Sequence, residues 1–242
     1  MRYRAVIEYD GAAYCGFQRQ RNQPSIQAEF EQVLGKLSGQ PVGVLGAGRT
    51  DSGVHAWGQV IAFDLGWQHG PEKLQRALNA SLPADIAVRR LEAEVEEFHP
   101  RFQAERRTYV YTIYNHPVRS PLRERWSWHV PRPLAVDAMQ AAADLLIGVR
   151  DFATFGQPTE GESTTRQVYR AQWDRRGDEL TFLIEANAFL YRMVRSLVGS
   201  LKAVGEGAWT AADFAAALAA RDRGRAGQTA PPQGLALLEV RY

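Results

Sequence analysis

The 242-residue sequence predicts an α+β fold of two successive β-α-β-β-α-β halves, joined into a central antiparallel sheet flanked by helices. Three observations carry this expectation. Alternating runs open both halves, at residues 2–9 and 106–115. Amphipathic, helix-length segments follow them, at about 26–37 and 134–147. Two strand-like runs, a second helix and a closing strand then appear in the same order in each half.

The first run ends at Asp10-Gly11, a turn signal. Pro24-Ser25 opens a helix with Ser25 at the N-cap. Its apolar face is Ile26, Phe30, Val33, Leu34 and Leu37, and Gly39 ends it. Residues 41–46 and 58–65 read as strands around a loop rich in glycine, threonine and aspartate. Pro71 starts a helix over 71–78, and 86–93 is a further strand, completing the ferredoxin-like order. In the second half a helix over 134–147 carries Met139, Leu145 and Leu146. Strands over 166–174 and 179–186 meet at Arg176-Gly177-Asp178, a hairpin signal. A helix over 188–204, a short one from Thr210 and a strand over 235–241 complete the chain. The repeat is one of element order, without matching sequence. The link at 94–104, with Glu94, Glu96, Glu97 and Pro100, sets the expected halves at 1–97 and 98–242.

Composition excludes several classes. No apolar run approaches the length of a membrane span, so no membrane association is expected. The N-terminus enters an alternating run directly, without a signal pattern, which points to a cytoplasmic protein. Cys15 is alone, so no internal disulfide forms; nothing near it in sequence activates a thiolate, and it reads as structural. His55, His69, His99, His116 and His129 are scattered and no CxxC or HxxxH pair occurs, so no metal is expected.

The net charge of +2 says little, but the placement of charge says more. All basic residues except Lys36, Lys73 and Lys202 are arginine. Arg101, Arg106, Arg107, Arg119, Arg123, Arg125 and Arg132 crowd one stretch, interleaved with Phe102, Tyr109, Tyr111, Tyr114, Trp126 and Trp128. Guanidinium groups bind phosphate and stack on bases, so this mixture suits single-stranded or loop RNA.

The segment with the most unusual chemistry is Gly46-Ala47-Gly48-Arg49-Thr50-Asp51-Ser52-Gly53-Val54-His55-Ala56. A dinucleotide loop fails, because the G-x-G-x-x-G spacing breaks at Asp51 and no helix follows. A phosphate loop fails for want of Gly-Lys-Ser/Thr. On residues alone two readings stand: a tight turn whose aspartate caps backbone amides, or an accessible carboxylate with a cation two residues away.

Residues 48–56 resemble the active-site signature of the tRNA pseudouridine synthase A family. Further segments resemble that family in order along the chain. They are Tyr9-Asp10-Gly11 with Gly16-Phe17-Gln18-Arg19-Gln20, Leu78-Asn79 with Leu82-Pro83-Ala84-Asp85-Ile86, and Phe98-His99-Pro100-Arg101-Phe102 with Arg107-Thr108-Tyr109-Val110-Tyr111. Phe189-Leu190-Tyr191-Arg192-Met193-Val194-Arg195, then Gly234-Leu235-Ala236-Leu237 and Val240-Arg241-Tyr242, complete the set. Three positions depart from the family pattern: Phe17 where tryptophan is commoner, Arg150 before Asp151-Phe152 where histidine is usual, and Tyr191 where histidine is frequent.

The resemblance implies a pseudouridine synthase fold, conversion of uridine to pseudouridine at the 3′ side of the tRNA anticodon stem-loop, no cofactor, and a homodimer. It implies Asp51 as the catalytic carboxylate. With it go RNA-binding roles: Arg49 fills the space of an extruded base or holds phosphate, Tyr109 stacks on uracil, and Arg195 pairs with Asp51. Arg106 and Arg107 join them as RNA contacts. His55 is expected to order the loop, and Phe17, Trp57 and Trp126 to serve packing.

Overall fold

The computed structural model describes residues 1–158, 161 and 163–242. Among them the fold is α+β, with ten strands of mixed sheet and five α-helices. In chain order these are β1 (Arg2–Tyr9), α1 (Ile26–Ser38), β2 (Val44–Gly46), β3 (His55–Asp64), α2 (Pro71–Ser81), β4 (Ile86–Glu94), β5 (Arg106–Tyr114) and β6 (Trp128–His129). Then follow α3 (Val136–Asp144), β7 (Gly148–Asp151), β8 (Thr165–Arg176), β9 (Glu179–Ala186), α4 (Met193–Gly205), α5 (Ala211–Ala220) and β10 (Leu235–Arg241).

The chain divides into two compact units, residues 1–105 with 236–242, and residues 106–235. The boundary therefore falls after residue 105 and not after 97, and the C-terminal strand returns to the first unit. Side-chain chemistry explains both differences. Arg2 donates to the Phe98 carbonyl at 2.9 Å, and the Phe98 ring packs on Tyr242 at 5.1 Å. The Tyr242 hydroxyl donates to Pro100 O, and Glu105 N donates to Arg241 O, both at 2.8 Å.

In the first unit β1 pairs antiparallel with both β3 and β4. The other edge of β3 is shared: β2 lies antiparallel along residues 61–63, and β10 runs parallel at 55 and 56. The expected antiparallel sheet is thus mixed here. Tyr3, Ala5, Ile7 and Tyr9 of β1 are buried, and Ile26, Phe30, Val33 and Leu34 of α1 supply apolar surface. Ser25 occupies the N-cap position of α1 but its hydroxyl makes no capping bond. The carbonyls of Gly16 and Phe17 accept from Ile26 N and Gln27 N instead. The expected strand over 41–46 shrinks to β2, because Pro41 offers no ladder donor and Gly43 weakens a strand.

In the second unit β9 lies antiparallel between β5 and β8, and β7 pairs with β8. The β8–β9 connection is the expected two-residue turn, with Gly177 at φ 62°. Strands β6 and β7, of two and four residues, are too short to read from alternation. Helix α4 starts at Met193, later than the pattern suggests, because Arg192 holds a left-handed φ of 61°. Thr210 and Asp213 form a capping box on α5.

Candidate active site

The loop between β2 and β3 carries Asp51, and its backbone is fastened at successive residues. Ala47 N donates to Val60 O at 2.8 Å. Gln59 Nε2 donates to Gly48 O at 2.8 Å, and Phe17 N donates to Thr50 O at 3.0 Å. The Thr50 hydroxyl lies 2.8 Å from that of Tyr9. Val54 N closes a turn on Asp51 O at 3.1 Å, while Ser52 Oγ and Gly53 N both reach Tyr14 O. Gly16, at φ 100°, lies so close that a Cβ there would sit 2.6 Å from Thr50 O. The result is a stiff loop in which Thr50 points inward, Asp51 is half-buried and Arg49 is exposed.

His55 begins β3 and is buried. Its Nδ1 lies 2.9 Å from Asp10 Oδ1 and 3.0 Å from Gly11 N. A protonated Nδ1 donates to the carboxylate; an unprotonated one accepts from the amide. In both states His55 pins the turn after β1 to the start of β3. Cys15 donates its thiol to Gln23 Oε1 at 3.1 Å. Phe17 is buried beside Gly46, but Trp57 and Trp126 are 55% and 47% exposed and do not fill the core. Trp57 sits at an irregularity of the β1–β3 ladder, where Tyr9 pairs with Ala56 and Ile7 with Gln59, so Trp57 is exposed while Ala56 and Gln59 are buried.

The second unit carries the other expected residues. Arg107, Tyr109, Tyr111 and Ile113 share one face of β5, opposite Ala186, Ile184, Phe182 and Leu180 of β9. Tyr109 is only 7% exposed and meets Phe189 edge to face at 5.0 Å. Arg107 donates to Asn187 O at 2.9 Å. Arg195, near the start of α4, donates through Nε to Ala230 O at 2.7 Å, and Ala230 N donates back to Arg195 O. The Tyr111 hydroxyl donates to the neighbouring Pro231 O at 2.8 Å, so Tyr111 and Arg195 hold adjacent carbonyls of one segment.

Arg106 belongs to the opposite face. It binds Glu185 Oε1 at 2.9 Å, stacks over Tyr169 at 4.2 Å, and shares Glu185 with Thr108. The two adjacent arginines therefore lie on opposite faces of β5. Arg150, exposed on β7, donates to the carbonyls of Leu145 and Val149, while Tyr191 is exposed under the Arg192 guanidinium at 4.9 Å. Of the residues that hold the loop from outside its motif, Tyr9 carries no role in the sequence reading beyond its place in Tyr9-Asp10-Gly11, and Tyr14 and Gln59 have none. A glutamine inside the apolar run of β3 was the available signal.

The family model described as tRNA pseudouridine synthase matches residues 5–103 and 142–242, spanning both the Asp51 loop and Arg195. The chain belongs to this family. Among its relatives, the tRNA pseudouridine synthase A of Rhodopseudomonas palustris (strain BisA53) is 47% identical over 244 residues, covering 100% of this chain and 99% of its own. The protein of that name in Brevibacillus brevis is 43% identical over 242 residues, with coverage of 100% and 99%. A solved H/ACA ribonucleoprotein bound to a substrate RNA containing 2′-deoxyuridine is similar at 16% identity and a TM-score of 0.38. That match covers 98% of this chain and 46% of the other, and at that level it adds nothing to the family assignment. In the relatives' full-length alignments the strand of Tyr109 is included, although the family match passes over 104–141.

Proposed function

We propose that this chain isomerises uridine to pseudouridine in the anticodon arm of tRNA, with Asp51 as its catalytic carboxylate. The observation that carries the assignment is the loop itself: a half-buried carboxylate on a backbone fastened at Gly48, Thr50 and Asp51. Family membership supports the reaction. The N1–C1′ bond of uridine breaks, the base turns, and a C5–C1′ bond forms. C5 releases its proton and N1 takes one, so the change is redox-neutral. One carboxylate serves this chemistry, by adding to the sugar or base or by taking a proton.

Arg49, exposed beside Asp51, is assigned to the space or phosphate of the extruded nucleotide. Tyr109 offers a ring to the uracil, with Arg107 on its face of β5 and Arg195 near the start of α4 as RNA contacts. Arg106 is assigned to bracing β5 against β9 through Glu185. We place the enzyme in the cytoplasm as a homodimer, which light scattering at assay concentration checks; no helix among the described residues is long and apolar enough to cross a membrane. The deciding experiment is tritium release from tRNA carrying 5-tritiated uridine, with product analysis. Retained carbon-linked uridine supports the reading. Free uracil makes the protein a glycosidase, and binding without release makes it a non-catalytic RNA-binding protein.

The two arginines of β5 separate in a binding experiment. Affinity for tRNA is expected to fall steeply with salt, as phosphate contacts release counterions. Arg107→Ala should reduce the slope of log affinity against log salt by about 1. Arg106→Ala should leave that slope nearly unchanged, because Glu185 already neutralises the guanidinium. Fluorescence anisotropy across a salt series checks both; equal slope changes refute the division of roles.

A further inference from the structure

We propose that Tyr9 and Gln59 are positioning residues for Asp51, holding its loop from the buried side; this rests on the reading of Asp51 as the catalytic carboxylate. Both project from the core face of the β1–β3 ladder. Gln59 stands opposite Ile7, in line with the Ala5–Ile61 and Tyr3–Phe63 pairs. Tyr9 follows Tyr3, Ala5 and Ile7 on the inward side of β1. The two side chains are 0% and 3% exposed.

An amide at such a position costs stability unless its polar atoms find partners. The partners of Gln59 explain its presence. Oε1 accepts from Val60 N at 3.2 Å, and Nε2 donates to Gly48 O at 2.8 Å. Gly48 precedes Arg49, so this bond fixes the entry to the catalytic segment. The Tyr9 hydroxyl meets the Thr50 hydroxyl at 2.8 Å, one residue before Asp51. The carboxylate is thus tied through its neighbours to two paired strands, although it sits on a loop. Such support matters, because a displacement of about 1 Å can cost on the order of a hundredfold in rate. Neither side chain needs to touch the substrate to act in this way.

The test compares Tyr9→Phe, Gln59→Met, Thr50→Val and the double variant Tyr9→Phe/Thr50→Val with wild type and Asp51→Asn. Tritium release gives kcat and KM for tRNA, and a melting curve on each sample gives the folded fraction. The expected result is a fall in kcat of roughly 10- to 100-fold per folded molecule, with KM little changed. The double variant should be no slower than Tyr9→Phe alone, since Thr50→Val removes a bond that Tyr9→Phe has already deleted. Gln59→Met asks most of the fold; if it does not fold, the Tyr9–Thr50 cycle still decides. Wild-type kcat in folded Tyr9→Phe, an effect confined to KM, or independent effects in the double variant overturn the proposal. An inactive Asp51→Asn beside a fully active Tyr9→Phe removes this proposal alone. Full turnover by Asp51→Asn removes the reading beneath it as well.

Discussion

Asp51→Asn is expected to reduce pseudouridine formation to background, a loss on the order of 10⁴-fold or more, as for other residues that carry a reaction's chemistry. The change replaces one carboxylate oxygen by an amide nitrogen at nearly constant volume. The loop is held through Gly48 O, Thr50 O, the Thr50 hydroxyl and the Asp51 carbonyl, and all of these remain. The melting temperature should therefore move by an amount equivalent to about 0.5 kcal/mol or less. Affinity for tRNA should stay close to wild type, because the phosphate contacts lie on other residues. Tritium release, anisotropy and a melting curve on one preparation check the three statements together. Appreciable turnover by the purified variant would show that the carboxylate is not the reacting group.

Tyr109→Leu is expected to lower both stability and turnover, and the structure explains why the two effects come together. The ring is almost wholly buried, and its edge-to-face contact with Phe189 ties β5 to the segment before α4. Losing that contact costs about 0.5–1.5 kcal/mol, and the shape mismatch raises the total to roughly 1–3 kcal/mol. Stacking on a base is worth a further ~1–3 kcal/mol, so turnover per folded molecule should fall roughly 10- to 100-fold. Tyr109→Phe keeps the ring and the Phe189 contact and should retain most of the stability. The deciding comparison is turnover corrected for the folded fraction. A destabilised Tyr109→Leu with normal corrected turnover would confine the residue to the core.

Much of this molecule is legible from local sequence because local rules produced it. Alternation marks β1, β5 and β9, and the Arg176-Gly177-Asp178 turn leaves β8 and β9 only one short connection. Apolar spacing marks α1, and Gly39 in the left-handed region stops it. The run from Gly48 to Ala56 stands out because its small residues and adjacent charges make a poor helix and a poor strand. The same run carries the resemblance to the family, and the family match confirms it.

Other features were decided by partners distant in the chain. Alternation separates Arg106 from Arg107, but only Glu185 and Asn187, about eighty residues on, show which arginine is locked in an ion pair. Residues 235–241 read as the last strand of the second half, yet 236–242 join the first unit, because the edge of β3 beside His55 and Ala56 offers a ladder. Ser25 has the chemistry of a helix cap, but the carbonyls of Gly16 and Phe17 occupy that place. Tyr9 reads as one more buried residue of β1 until Thr50 is folded against it. The sequence alone determined which segments become strands, helices and the reactive loop, since period, turn chemistry and motif act over a few residues. Only the tertiary structure decided which polar side chain serves which backbone, because a buried donor takes whatever acceptor the fold brings within about 3 Å.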